Sequence, residues 1–311
     1  MAQVGLVLDP LDLLNVTKDS SLAIMEVLQK QGHTIITFET RDLYALQGNA
    51  YGKGRAIRIN LSQQPYYETV EEKVYDLSDL SLILMRKDPP FDMAYVHATH
   101  ILEAAKTRVS NPPRVLRWFN EKASLPLFPK LIPPTCMSKN ISQLKAFLEQ
   151  HKHVVFKPLN QMGGAGIFVV KLDDLNQNVI LETLTQNQTT TIMAQAYLPE
   201  IKDGDHRILI FFGVPLDYVL CRVPGKSDPR GNLAAGAKAK VLPLSDIQRK
   251  TCTELAPFFL EHGLDLVGLD MIGSKVTEIN ITSPTGFREI SQGSPIDAAE
   301  TFVTGLKIST G

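Results

Sequence analysis

Cysteine is scarce in this chain, and its placement is uninformative for metal or disulfide chemistry. Cys136, Cys221 and Cys252 are an odd number in 311 residues, widely spaced, with no Cys-x-x-Cys. That pattern predicts free buried thiols in a reducing compartment rather than a disulfide framework. Net charge is also lacking: 32 Lys and Arg stand against 33 Asp and Glu. The balance supplies no basic field for nucleic acid or for an anionic membrane surface, and neither partner is expected. No apolar run approaches the roughly 18 residues of a membrane span. The opening residues Met1–Leu8 carry no positive segment and read as a strand rather than a signal peptide, so the expected location is the cytoplasm. The sequence has no Gly-x-x-x-x-Gly-Lys-Ser/Thr loop, no Gly-x-Ser-x-Gly elbow, no His-Glu-x-x-His and no repeat. The histidines, such as His97 and His100 or His151 and His153, complete no zinc site.

What is present is the texture of a folded enzyme, 44% apolar and 21% charged, at a length that suggests two domains of about 150 residues. In the first third short apolar runs alternate with helical periodicity. Val4–Leu8 reads as a strand; Asp19 caps a helix running through Leu22, Met25 and Leu28 to Gly32; Thr34–Phe38 and Leu80–Met85 are further strands; Phe91–Lys106 is helical. This order predicts an α/β domain built on a parallel sheet. Pro112, Pro113, Pro126, Pro129, Pro133 and Pro134 then mark a boundary. Beyond it lie strands at 153–156, 167–170, 191–194, 207–212, 217–223, 264–272 and 276–281, with a helix from Ser245 to His262, so the back of the chain is richer in hairpins.

Four segments could carry chemistry. In Leu269-Asp270 and Thr277-Glu278-Ile279-Asn280, residues two apart on a strand face the same way, and a three-residue loop Gly273-Ser274-Lys275 would set Asp270 opposite Glu278. Three hard oxygen donors on one face suit Mg²⁺, although an exposed polar sheet face accounts for them equally well. Lys157-Pro158 followed by Met162-Gly163-Gly164-Ala165-Gly166 could cradle phosphate or be a plain Gly-rich hairpin turn. Pro224–Lys240 is long for a loop and carries Arg230, Lys238 and Lys240, which fits a flap over an anionic substrate as well as a bare surface loop. Finally, Met85-Arg86-Lys87-Asp88 ends a strand where ligands of open α/β sheets bind.

Taken in order, these segments resemble the bacterial type of glutathione synthetase, an ATP-grasp ligase. The resemblance is carried by Met85–Asp92, Asn120-Glu121-Lys122, Lys157-Pro158, Met162–Ala165, Met193-Ala194-Gln195, Tyr197-Leu198-Pro199, Ile201–Asp205, Arg230–Gly236 and Thr277–Thr285. It implies an N-terminal α/β domain over 1–121 and a two-lobed ATP-grasp domain over 122–311, with lobes 122–198 and 199–311 and a flap at 224–240. It implies that ATP is held by Lys122, Lys157, Gly163, Gly164, Gln195, Tyr197, Leu198 and Asp205, and that Asp270, Glu278 and Asn280 carry Mg²⁺ or Mn²⁺. Arg207, Arg222 and Arg230 would serve the transferred phosphate and acyl group. Arg86, Asn232, Ser283 and Thr285 would bind γ-glutamylcysteine, whose carboxylate is phosphorylated and then attacked by glycine. A homotetramer is implied as well. The alternatives are another ATP-grasp carboxylate–amine ligase, such as a D-alanine–D-alanine ligase, and a nucleotide-binding regulator without catalysis.

Overall fold

The computed structural model describes residues 1–88, 90–225 and 238–308. The first sheet contains β1 (Gln3–Val7), β2 (Thr34–Phe38), β3 (Leu43–Leu46), β4 (Asn49–Ile59), β5 (Tyr67–Asp76), β6 (Leu82–Met85) and β7 (Val109–Ser110). Its order is β3-β4-β2-β1-β6-β7, with β5 on β4. The β2-β1-β6-β7 half is parallel, as the alternating strands and helices require. The other half is an antiparallel wing of β3, β4 and β5. Residues 43–76 carry no strand pattern in the sequence, because the exposed, charge-rich β5 has no apolar face to reveal it. Helices α1 (Ser20–Lys30), α2 (Met93–Glu103) and α3 (Pro113–Trp118) accompany this sheet, and Asp19 caps α1 by accepting from Leu22 N–H at 2.9 Å.

The second sheet, ordered β10-β9-β11-β8, joins β8 (Thr135–Ser138), β9 (His153–Pro158), β10 (Phe168–Lys171) and β11 (Ile192–Ala196), with α4 (Ile141–His151) and α5 (Gln177–Leu184) packed on it. The third is ordered β15-β14-β12-β16-β17, with β13 on β12. It comprises β12 (Asp205–Phe211), β13 (Val214–Pro215), β14 (Tyr218–Val223), β15 (Lys238–Pro243), β16 (Leu266–Ile272) and β17 (Lys275–Asn280), with α6 (Asp246–Glu261), α7 (Phe287–Gly293) and α8 (Ala298–Gly305). Lys238–Lys240, the last residues of the expected flap, open β15 and pair with β14.

The cores explain why the second sheet stands apart. Leu144, Leu148, Val154, Phe156 and Leu181 form a small cluster of their own. Two larger clusters each draw on both the first and the third sheets. On one side Phe38, Ile83 and Phe119 share a core with Ile208, Val267 and Leu269. On the other, α1 residues Leu22 and Met25 share one with Phe287 and Phe302 of α7 and α8. A polar rivet adds to this seam. The buried Asn111 amide donates to the carbonyls of Leu266 (2.7 Å) and Ile281 (2.8 Å), and its oxygen accepts from Leu266 N–H at 3.0 Å. Asn111→Ala leaves those backbone groups unpaired in the core and is expected to cost about 3 kcal/mol. Urea titration of the purified protein checks this, and an unshifted midpoint would show that the seam rests on apolar packing alone.

Candidate active site

A cleft of about 720 Å³ lies between the second and third sheets. Val155, Ile167, Val169, Leu198, Ile201 and Ile272 make its apolar walls, and Lys157, Gln195, Asp205, Asp270 and Glu278 supply its polar groups. Apolar walls around a few convergent polar groups suit a small organic ligand. Tyr197 lines it with its ring stacked on His153, centroids 3.8 Å apart and 20° from parallel. Gln195 is buried and donates from Nε2 to Thr135 Oγ1 at 3.3 Å. A second cleft, of about 930 Å³, is lined by Gly163, Arg207, Arg222, Asn280, Ser283 and Thr285. Glu278 belongs to the walls of both.

The charged floor is a consequence of strand register. On β12, Asp205 and Arg207 are two apart and share a face; Arg222 of β14 lies opposite Asp205, and Asp270 of β16 opposite Arg207. Glu278 of β17 lies opposite Asp270, as expected, but by a different route. The connection between β16 and β17 is two residues, Gly273-Ser274, with Ile272 paired to Lys275 and Met271 to Val276. Undisturbed, that register would carry Thr277 to Asp270 and turn Glu278 to the other face. A one-residue bulge at Thr277 moves the pairing on and returns Glu278 to the cleft, and Thr277 Oγ1 donates to Asp270 O at 3.2 Å. Gly268, two residues before Asp270, leaves room for Arg207: a Cβ there would sit 2.8 Å from Pro284 and 3.2 Å from the Arg207 side chain.

Four buried cations, Lys122, Lys157, Arg207 and Arg222, converge on this floor. Arg207 grips Asp270 through two nitrogens, with Nη2 to Oδ2 at 2.8 Å, and Arg222 reaches Asp205 at 2.6 Å and Asp270 at 3.0 Å. Burial alone would raise the Asp270 carboxyl, yet the two guanidinium groups hold it well below the usual carboxylate range. At Asp205 burial prevails over Arg222 and pushes the carboxyl up to about 6. Lys122 reaches the cluster because Ile279 N–H on β17 donates to Glu121 O at 3.0 Å, tying the 120s turn to the sheet edge. Its ammonium contacts the Glu121 carboxylate, Gln161 O at 3.0 Å and Glu278 at 3.7 Å. Burial opposes its charge, but Glu278 and Glu121 outweigh that and raise it. Lys157, on β9, makes no ion pair among the described residues, and burial lowers its ammonium against the pull of Glu278. Gly163 and Gly164 take φ of +63° and +83°, the left-handed backbone that lets a loop bend over a ligand.

Arg86 is placed differently. It is 4% exposed, donates from Nε to Ser21 Oγ and from Nη2 to Pro284 O, each at 3.1 Å, and lies behind the Ser283–Thr285 segment rather than in either cleft wall. Arg230 and Asn232 lie outside the described residues. Glu121, Thr282 and the apolar walls complete the clefts and carry no spacing signal of their own. For a divalent cation the candidate donors are the Asp270 and Glu278 carboxylates and the Asn280 amide oxygen. Asn280 Nδ2 is spent on Gly268 O (3.3 Å) and Asp270 (3.4 Å), which leaves Oδ1 as its free acceptor. Among the described residues no three His, Cys, Asp or Glu side chains form a metal cage. Two carboxylates and an amide fit a hard cation whose other positions go to water and phosphate oxygens.

Comparison with known proteins agrees along the whole chain. Residues 2–117 match the family model of the prokaryotic glutathione synthetase N-terminal domain, and 121–294 that of the prokaryotic glutathione synthetase ATP-grasp domain. The glutathione synthetase of Vibrio parahaemolyticus is 44% identical over 315 residues, covering 98% of this chain and 100% of the relative. That of Escherichia coli K12 is 44% identical over 309 residues, covering 98% and 96%. Among solved structures, D-cycloserine synthetase superposes with a TM-score of 0.68 at 15% identity over 98% of both chains. A RiPP-associated ATP-grasp ligase of Chryseobacterium gregarium superposes with a TM-score of 0.65 at 16% identity, covering 99% of this chain and 96% of that one. At such identities these two speak for the fold.

The charge cluster has a pH signature. Burial, and then Glu278, push the Glu121 carboxyl up to about 7 despite Lys122. In the unfolded chain Glu121 returns to about 4.3. Between those values the folded state holds the extra proton, so stability falls as pH rises from about 4.3 to 7. Glu121→Gln, with nothing to ionise, is expected to flatten part of that decline. Denaturant midpoints at pH 5 and pH 7.5, without nucleotide or metal, test it; an unchanged slope would mean that Glu121 ionises without cost.

Proposed function

The chain belongs to the prokaryotic glutathione synthetase family, and from that premise we propose how its residues divide the joining of γ-glutamylcysteine to glycine. The enzyme is an ATP-dependent ligase of the ATP-grasp type, acting on small-molecule substrates with a divalent metal. The observation that carries the detailed reading is the pair of clefts sharing Glu278, with four buried cations around their junction.

In this reading the apolar cleft takes adenine between the two sheets, beside Gln195, Tyr197 and Leu198, with Asp205 on the ribose side. Lys122 and Lys157 hold the phosphates beneath Gly163 and Gly164. Asp270, Glu278 and Asn280 would hold Mg²⁺ or Mn²⁺, which neutralises phosphate charge when bound. The second cleft takes γ-glutamylcysteine along Ser283 and Thr285, with Arg86 fixing that segment from behind, and Asn232 and Arg230 of the flap completing the site. The C-terminal carboxylate of γ-glutamylcysteine attacks the γ-phosphorus of ATP, releasing ADP and leaving an acyl phosphate. The glycine amine then attacks the acyl carbon, and the tetrahedral intermediate expels phosphate as the amine loses its proton. Both partners of the first step are anions, so the barrier is chiefly electrostatic. Arg207 and Arg222 stand where charge passes between the clefts, held by Asp270 and Asp205 so that they need not reorganise during the reaction.

The N-terminal domain spans 1–121 and the ATP-grasp domain 122–311, divided at 198/199 with a flap at 224–240. The enzyme works in the cytoplasm as a homotetramer, without nucleic acid or membrane; no described helix is long and apolar enough to cross a bilayer.

Phosphate release from MgATP with γ-glutamylcysteine and glycine, each omitted in turn, tests the reaction. All three should be required, with glutathione found by mass. Release with paired D-alanine instead would support the rival ligase, and silence with every pair despite ATP binding would support the regulator. Lys157→Met is expected to lower kcat/KM for ATP by about 10²-fold, equivalent to about 2.7 kcal/mol. An unchanged kcat/KM would remove Lys157 from the phosphate site.

A further inference from the structure

The cleft-facing surface of the second sheet is fixed by strand register. On β11, Ile192 and Ala194 pack into that sheet's own core, so Gln195, one residue on, turns to the other face. There it lies between Val155 of β9 and Thr135 of β8, its partners across the sheet, and Pro133, Val155 and Gln195 all line the apolar cleft. A side-chain amide in such a wall can present either its donor or its acceptor end to a ligand. The end it presents decides what the ligand must offer.

Two hydrogen bonds fix that end. Thr135 Oγ1 donates to the carbonyl of Pro133 at 2.7 Å. A carbonyl only accepts and a hydroxyl has a single proton, so toward Gln195 the Thr135 oxygen can only accept. It accepts from Gln195 Nε2 at 3.3 Å. The reversed amide would set Oε1 against a hydroxyl oxygen with no proton left to give, two acceptors face to face. Gln195 Oε1 accepts nothing among the described residues, yet it is not one of the protein's buried unpartnered atoms, so it opens on the cleft. The relay from Pro133 through Thr135 turns an ambivalent amide into a fixed acceptor.

A fixed acceptor beside a purine favours a 6-amino group, which donates, and opposes a 6-oxo group, whose lone pairs meet those of Oε1. We infer that Thr135 is a positioning residue for nucleotide choice, holding the Gln195 amide so that 6-amino purines are accepted and 6-oxo purines refused. The inference rests on the reading of this cleft as the adenine site. Thr135 acts through Gln195 and need not touch the nucleotide.

Steady-state kinetics with ATP and with inosine triphosphate, which carries the 6-oxo group without guanine's 2-amino group, test it. The ratio of the two kcat/KM values does not depend on how much of a variant is folded. Thr135→Val removes the hydroxyl and frees the amide to turn, and the ratio should fall about tenfold, the worth of a hydrogen bond. The change should lie in KM, with kcat for ATP kept within about twofold, because the base is held alike before and during phosphoryl transfer. Thr135→Ser keeps the hydroxyl and should keep the parent ratio. In a Gln195→Met background, Thr135→Val should move the ratio no further. A ratio unmoved by Thr135→Val, an equal fall with Thr135→Ser, or an undiminished effect in the Gln195→Met background would each overturn the relay. A parent that uses ATP no better than inosine triphosphate would overturn the acceptor role of Gln195 while leaving the adenine site standing. Dissociation constants for ADP and inosine diphosphate should change in the same proportion, which separates failure of the relay from failure of the ligase reading. A protein that binds neither nucleotide would overturn both.

Discussion

Asp270 is the point on which the site's geometry turns. Its carboxylate, almost wholly buried, is gripped by Arg207 from β12 and Arg222 from β14, while Glu278 and Asn280 stand beside it on β17. Two guanidinium groups could not be held out of water without such a counter-charge, and a buried carboxylate could not stay ionised without them. The group fixes three neighbouring strands in register and leaves Glu278, more lightly engaged, as the wall between two clefts. Around the junction Lys122, Lys157, Arg207 and Arg222 balance Glu121, Asp205, Asp270 and Glu278, so the ligand-free site is near neutral yet densely charged. Few rearrangements are then needed when anionic substrates arrive, which is the condition for electrostatic preorganisation.

The distribution of cores gives that site its mechanical frame. The first and third sheets share two large apolar clusters and the Asn111 rivet, so the floor and the acceptor cleft belong to one packed unit. The second sheet keeps a small core of its own and faces the floor across the apolar cleft. A separately packed lobe over a fixed charged floor is a natural clamp for a nucleotide. The same economy leaves β5 projecting from the first sheet, where its edge has no partner along the described chain.

Much of this was legible in the chain. Apolar runs placed β1, β2, β6, β9, β10, β11, β12, β14, β16 and β17 within a few residues, and the capping residues Asp19 and Ser245 fixed the starts of α1 and α6. The wing β3–β5 was not legible, because β5 is exposed on both faces and has no period-two signal, and the inward positions along most of β4 are Ala and Gly, too small to mark an apolar face. Helices α7 and α8 were missed because they are short and their apolar residues answer to α1, far away in sequence. Asp270, Glu278 and Asn280 were found by strand alternation, although the assumed loop was one residue too long and the Thr277 bulge made up the difference.

Local sequence determined which residue types were available, in which order, and on which face of each strand, because side-chain alternation and capping act over a few residues. Only the tertiary structure decided that Arg86 stands behind the wall rather than in it, and that Lys122 meets Glu278 through a backbone bond from Ile279 to Glu121. It alone set the balance of charge at Asp205 and Asp270, two buried carboxylates driven in opposite directions. Burial and charge proximity depend on distances between segments far apart along the chain, and no spacing within any one segment contains them.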